Sequence, residues 1–323
     1  MREINRREFV KSLVALGATA LSAGGLLAQA ACSPGPGSEE TGGLVRKPSP
    51  GPAAGQAYLA VARGGSPAEI THRAVAALGG IERFVRPGDD VIIKPNICVA
   101  YHTWEYAATT NPEVVATLVS LCLGAGARRV RVMDYPFGGS AEAAYERSGI
   151  AQAVTAAGGL MEQMAKMKYR KTPIPAGRDL KEWPIYQDVL EADVLINVPI
   201  AKHHNLARLT LGMKNLLGVV LDRSQYHRHL GQRLADLTSL VYPTLTVVDA
   251  VRILVDHGPT GGSLDDVKQL DTVIASHDPV AADAYAATLF GLTGADIAYI
   301  KAAAEMGLGA MDLSHLKIEE IQA

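Results

Sequence analysis

The chain has 323 residues, with 31 basic and 33 acidic side chains, a formal net charge of −2, four Phe and two Trp. That balance supplies neither the basic face nor the aromatic platforms that a nucleic-acid partner needs, so no nucleic-acid binding is expected. Cys32, Cys98 and Cys122 are the only cysteines, too few for a four-cysteine centre, and an iron–sulfur cluster is not expected.

Residues 1–32 read as a leader. Arg6-Arg7, followed by Phe9 and Lys11, precede an apolar Ala/Leu/Gly run over residues 12–31. This is the three-part layout of a secretory signal, and the paired arginines point to twin-arginine export, with its translocation machinery as a passing partner. Gly17, Ser22, Gly24 and Gly25 leave the run only moderately apolar for a stable membrane span. Ala28-Gln29-Ala30 fits an ordinary cleavage site, whereas Ala30-Ala31-Cys32 fits a lipid-attachment box, and both readings stay open. The expected location is the periplasm or the outer face of the cell envelope, touching membrane only through the signal or a lipid anchor at Cys32. Residues 33–56 are rich in Pro, Gly and Ser and read as a flexible linker. Residues 57–323 are enough for a single α/β domain.

Within that domain, short aliphatic runs alternate with helical patterns, which predicts a mainly parallel sheet with helices on both faces in Rossmann-like layers. Strands are expected at 58–62, 91–94, 129–134, 193–199, 245–249 and 272–276, with a less regular one at 164–170. Ser66-Pro67, Asn111-Pro112, Ser140 and Asp278-Pro279 are the helix starts. Helices are expected over 67–78, 111–123, 141–147, 280–289 and 294–306.

Polar groups collect where a plain structural sheet has no use for them. Lys94-Pro95-Asn96, Asp134, Lys202-His203-His204 and Asp249 all stand at strand ends, and in parallel α/β folds ligands bind beyond the carboxyl ends of the strands. Lys214-Asn215 follow Lys202 by 12 residues, and a segment that leaves the sheet and returns would bring both lysines to one pocket. Two close lysines depress each other's pKa unless an anion or carboxylate lies between them. The pattern therefore predicts a cleft for a small anionic ligand, a carboxylate or a phosphate compound. Lys94, Lys202 and Lys214 would bind it, Asn96 and Asn215 would orient it, and Lys202, Lys214, His203 or Asp249 would move protons. A buried network pairing the two lysines with Asp134 and Asp249 is the plainer reading. A binding protein that captures an anion or metal without turnover is the rival to an enzyme.

Five of the nine histidines lie between residues 201 and 258. His227-Arg228-His229, read as extended chain, would send both rings to one side, and with His203 and an acid such as Asp249 would make a divalent-metal site.

The stretches IKPN (93–96), TNPEVVATLV (110–119), GARRVRVMD (126–134), ADVLINVPIAKHH (192–204), TLGMKNLLG (210–218), TVVDAV (246–251) and DPVAADAYAATLFG (278–291) resemble the domain of unknown function 362 family. The resemblance implies that Lys94, Asn96, Lys202, His203, Lys214, Asn215, Asp249 and Asp283 occupy motif positions of that family, and it assigns them no role. Members with an added ferredoxin-like segment bind clusters, but the cysteine set is missing from this chain. Lysine and histidines near a Gly-rich turn also resemble the lactate racemase family, without a continuous motif.

Overall fold

The computed structural model describes residues 45, 46, 48, 49 and 51–323. The leader, Cys32 and most of the linker lie outside the described residues. Among the described residues no helix is long and apolar enough to cross a membrane.

The strands are β1 Leu59–Arg63, β2 Asp90–Pro95, β3 Arg129–Val132, β4 Leu160–Met161, β5 Tyr169–Pro173, β6 Glu182–Tyr186, β7 Val194–Val198, β8 Ile200–His204, β9 Arg208–Thr210, β10 Leu245–Leu254, β11 Val267–Ser276 and β12 Ile318–Gln322. The helices are α1 Pro67–Ala77, α2 Pro112–Gly124, α3 Ala141–Arg147, α4 Ile150–Ala156, α5 Asp188–Glu191, α6 Gly212–Asn215, α7 Leu230–Leu240, α8 Pro279–Thr288 and α9 Ala298–Glu305. Every residue of β2 and β7 is buried, as expected for strands covered on both faces. Alternation assigns the faces. Leu59, Val61, Ile92, Leu195, Val248 and Ile274 pack with residues of α7, α8 and α9. Ala60, Ala62, Val91, Ile93, Ile196 and Val247 pack with α1, α2 and α4. All four expected helix starts form as side-chain caps: Ser66 accepts from Glu69 N, Asn111 from Glu113 N, Ser140 from Ala143 N, and Asp278 from Val280 N and Ala281 N.

The sheet runs in the order β12-β1-β11-β10-β7-β2-β3-β4, with β8 pairing β10 and β9, and β5-β6 form a separate hairpin. It is a mixed sheet. The pairings β10-β7, β7-β2, β2-β3 and β3-β4 are parallel, whereas β11 runs antiparallel to both β10 and β1. The expectation of a mainly parallel sheet misses this reversal: β10 and β11 are each ten residues long and pair antiparallel, whereas the aliphatic runs mark only 245–249 and 272–276, half of each strand. The irregular strand expected at 164–170 is displaced, since residues 166–168 form a 3₁₀ turn and β5 begins at Tyr169.

Part of the expected linker is held against the domain. The Arg46 guanidinium donates to the carbonyls of Ala192, Val189, Tyr242 and Asp193 and to Thr244 Oγ1, and Ser49 Oγ donates to Thr244 O. Ala192 and Thr244 immediately precede or flank the amino ends of β7 and β10, so the chain enters at the pole opposite the carboxyl ends of those strands.

Candidate functional site

The carboxyl ends of β2 and β3, together with the β8-β9 hairpin and α6, enclose a cavity of about 390 Å³ whose lining includes Lys94, Asn96, Cys98, Asp134, Lys202 and Lys214. The segment between the two lysines is a hairpin rather than a loop: Lys202 pairs with Thr210 across β8-β9, and the chain then turns into α6. Lys214 thereby returns to the cavity that Lys202 lines, as the spacing predicted.

The cations differ sharply in how they are satisfied. Lys94 is fully buried and donates to Asp134 Oδ1 at 2.8 Å, Pro95 O at 3.0 Å and Asn215 Oδ1 at 3.2 Å, using all three ammonium hydrogens. Burial lowers its pKa, and the ion pair with Asp134 works in the opposite direction. Lys202 Nζ donates to Ala108 O at 2.6 Å, Pro259 O at 2.8 Å and Asn96 Oδ1 at 3.0 Å, with Cys98 Sγ at 3.4 Å. Its oxygen acceptors are two backbone carbonyls and a side-chain amide, so no carboxylate among the described residues stands against it.

Lys214 has no hydrogen-bond or ion-pair partner among the described residues. Burial lowers its pKa to about 7, with the nearby charges of Lys202 and Arg223 adding to the shift. Arg223 also lines the cavity. Its Nη2 donates to Tyr135 O at 2.6 Å and its Nε to Val220 O at 3.4 Å, which leaves Nη1 without a partner among the described residues. Its guanidinium carbon stands 5.0 Å from the centre of the Tyr135 ring. Burial lowers its pKa as well.

His204 lines the same cavity. Its Nδ1 accepts from Leu206 N at 3.1 Å and Ala207 N at 3.3 Å. Burial, then Lys214 and Lys202, hold its pKa down at about 3. The ring is therefore neutral with its proton on Nε2, a donor without a partner among the described residues.

Both asparagines line the cavity and are also bonded inside the protein, Asn96 Oδ1 accepting from Lys202 and its Nδ2 donating to Asn215 Oδ1. Asn215 Oδ1 accepts from Lys94 and Asn96, and its Nδ2 donates to Asn197 Oδ1 and Lys94 O. Asp283 accepts from Gly212 N at 2.6 Å and Met213 N at 2.9 Å, fixing the first turn of α6 and so the aim of Lys214. Gly212 leaves room for this contact, because a Cβ there would lie 2.7 Å from Asp283 Oδ1.

Asp249 does not reach the cavity. It is fully buried on β10 and accepts from Asn111 N at 2.7 Å and Val251 N at 3.0 Å, tying the strand to the start of α2. It is therefore a positioning residue in this geometry, and the expected gathering of 94, 202, 214 and 249 holds for the three lysines only.

The three histidines predicted as metal ligands also separate. Residues 223–229 form a 3₁₀ helix, not an extended chain, so rings two apart diverge. His227 lines the cavity, His229 pairs with Asp179 at 3.2 Å, and His203 Nδ1 accepts from Gly258 N beside another hollow. A different group has metal-ligand spacing: the ligand atoms of Asp256, His257 and Asp266 all lie within 4.8 Å of one another and could hold a divalent cation. The structure adds Arg223, His204 and Cys98 to the predicted cavity set. Arg223 had no strand-end position to mark it, whereas His204 stood in the quoted Lys202-His203-His204 run.

The model of the domain of unknown function family DUF362 matches residues 91–288, and the chain belongs to that family. It is similar to the thylakoid-associated protein sll1697 of Synechocystis sp. (strain ATCC 27184 / PCC 6803 / Kazusa), with 28% identity over 240 residues and 72% of each chain covered. Among solved structures it is similar to the lactate racemase apoprotein from Thermoanaerobacterium thermosaccharolyticum, at 10% identity and a TM-score of 0.43, covering 66% of this chain and 53% of that one.

Proposed function

Within a family without an assigned activity, we propose that this chain binds a small organic anion in the cavity between β2, β8 and α6. One observation carries the reading: Lys202, Lys214 and Arg223 line one cavity, and among the described residues none of them has a carboxylate partner within ion-pair distance. Asp134 forms its direct ion pair with Lys94 and attracts Arg223 from beyond ion-pair distance. Lys202 is buried and Lys214 and Arg223 are half-buried; cations withdrawn from water without a counter-charge are costly, and an incoming carboxylate or phosphate would reduce that cost. The unused donors on Lys214, Arg223 and His204 supply hydrogen bonds to it. Apolar neighbours such as Leu206 and Leu217 favour a carbon-bearing acid over an inorganic ion.

Thermal-shift titration with a panel of small carboxylates and phosphate esters tests this. At least one should raise the melting temperature of the wild type saturably, and Arg223→Gln should weaken it by about tenfold or more. A wild-type melting temperature indifferent to the whole panel would remove the reading.

Turnover is the second reading, favoured by an amine that titrates near neutrality beside a neutral imidazole donor. For location, the arginine pair of the leader supports export by the twin-arginine route. The similarity to a protein described as thylakoid-associated supports a place near a membrane. Cell fractionation with and without Arg6→Lys and Arg7→Lys tests the route.

A further inference from the structure

The three unused donors differ in chemistry, and that difference narrows the ligand class. Arg223 Nη1 is a planar cationic donor suited to a carboxylate. His204 presents a neutral Nε2–H, because its Nδ1 is taken by two backbone N–H groups. Lys214 presents an amine without an acceptor on a cavity wall that also carries Leu217 and Leu206. An ammonium kept only as a charge would be expected to carry acceptors, as those of Lys94 and Lys202 do. A desolvated amine beside other cations is the arrangement that makes lysine a nucleophile at neutral pH.

We propose that Lys214 is the nucleophile for a 2-oxo acid, condensing with its carbonyl carbon while Arg223 Nη1 holds the carboxylate and His204 Nε2–H donates to the carbonyl oxygen. This rests on the anion-binding reading of the same cavity. In the step, the Nζ lone pair forms a bond to the carbonyl carbon, and the C–O π electrons move to oxygen, giving a carbinolamine. The C–O bond then breaks, the C=N bond forms, and the two amine hydrogens leave with the oxygen as one water. No electrons are exchanged with an outside reagent. His204 keeps its proton and acts by hydrogen bonding alone.

Burial that lowers the Lys214 pKa to about 7 supports the same role, since more of its amine is then free at neutrality than in an ordinary exposed lysine.

The experiment uses the full folded chain with pyruvate as probe and sodium borohydride to reduce any imine, followed by intact mass and peptide mapping. L-Lactate, which has the carboxylate but no carbonyl, serves as the comparison in thermal shift. The expected result is one reduced adduct on Lys214, formed at pH 7.5 at least tenfold faster than on exposed Lys171, and absent in Lys214→Arg. Protection of Lys214 from trapping by L-lactate would support the shared cavity. Stabilisation by both acids with no adduct on Lys214 would overturn the nucleophile and leave the anion reading standing. Absence of stabilisation by either acid, with no adduct, would overturn the nucleophile; indifference to the wider acid panel as well would remove the anion reading with it.

Discussion

Lys94 Nζ and Asp134 Oδ1 meet at 2.8 Å in space that a side chain at position 218 would occupy. A Cβ on Gly218 would stand 2.1 Å from Asp134 Oδ1 and 2.4 Å from Lys94 Nζ. The pair is buried on both sides, so neither partner has a solvated alternative.

Gly218→Ala is therefore expected to destabilise by about 3 kcal/mol, combining overpacking with disruption of a buried ion pair. Gly124→Ala, where a Cβ meets nothing within 4 Å, should be neutral or stabilising by a few tenths of a kcal/mol to about 1 kcal/mol. Urea unfolding of both variants checks the contrast.

Asp249 and Asp283 are both raised from 3.8 to about 7, burial outweighing the backbone N–H groups each accepts. A carboxyl whose folded pKa exceeds its unfolded one adds stability that is present below about pH 4 and lost as pH rises through about 7. Lys214 has the opposite limb. Lowered from 10.5 to about 7, it makes the unfolded chain bind more protons between those values, so stability rises again with pH there. The urea midpoint should fall from pH 4.5 toward 7 and recover toward 10.

Lys214→Met should abolish that recovery and raise stability at pH 6 on the order of 2 kcal/mol, since an unpaired ammonium no longer has to be desolvated. The same variant should lose the stabilisation given by an organic acid. Denaturant melts at pH 6 and 9, with and without ligand, read both effects.

Asp283→Ala should remove the acceptor of two backbone N–H groups at the first turn of α6. A loss of about 2–4 kcal/mol is expected, with anion affinity reduced although Asp283 touches no ligand. Calorimetric titration at a temperature where the variant stays folded separates the two.

Much of the fold was legible because capping is local chemistry. Ser66, Asn111 and Asp278 announce their helices within three residues. Lys94 and Lys202 were also legible, since strand ends mark themselves by a polar residue after an aliphatic run, and Lys214 was legible by its spacing from Lys202. Asp249 misled because the same mark fits a carboxylate that anchors a neighbouring helix start instead of facing the cavity. His227 and His229 misled because extended chain and 3₁₀ helix share a residue pattern but not a ring direction. Arg223 stayed hidden, as its place depends on where the chain passes after α6, a tertiary matter with no local sign.

The Arg46 clasp lies at the pole of the sheet away from the binding mouth. Its guanidinium grips carbonyls at Ala192 and Asp193, just ahead of β7, whereas Lys202 and Lys214 lie beyond the other end of that strand. A change at Arg46 would therefore act on the amino ends of β7 and β10 and leave the cavity lining untouched.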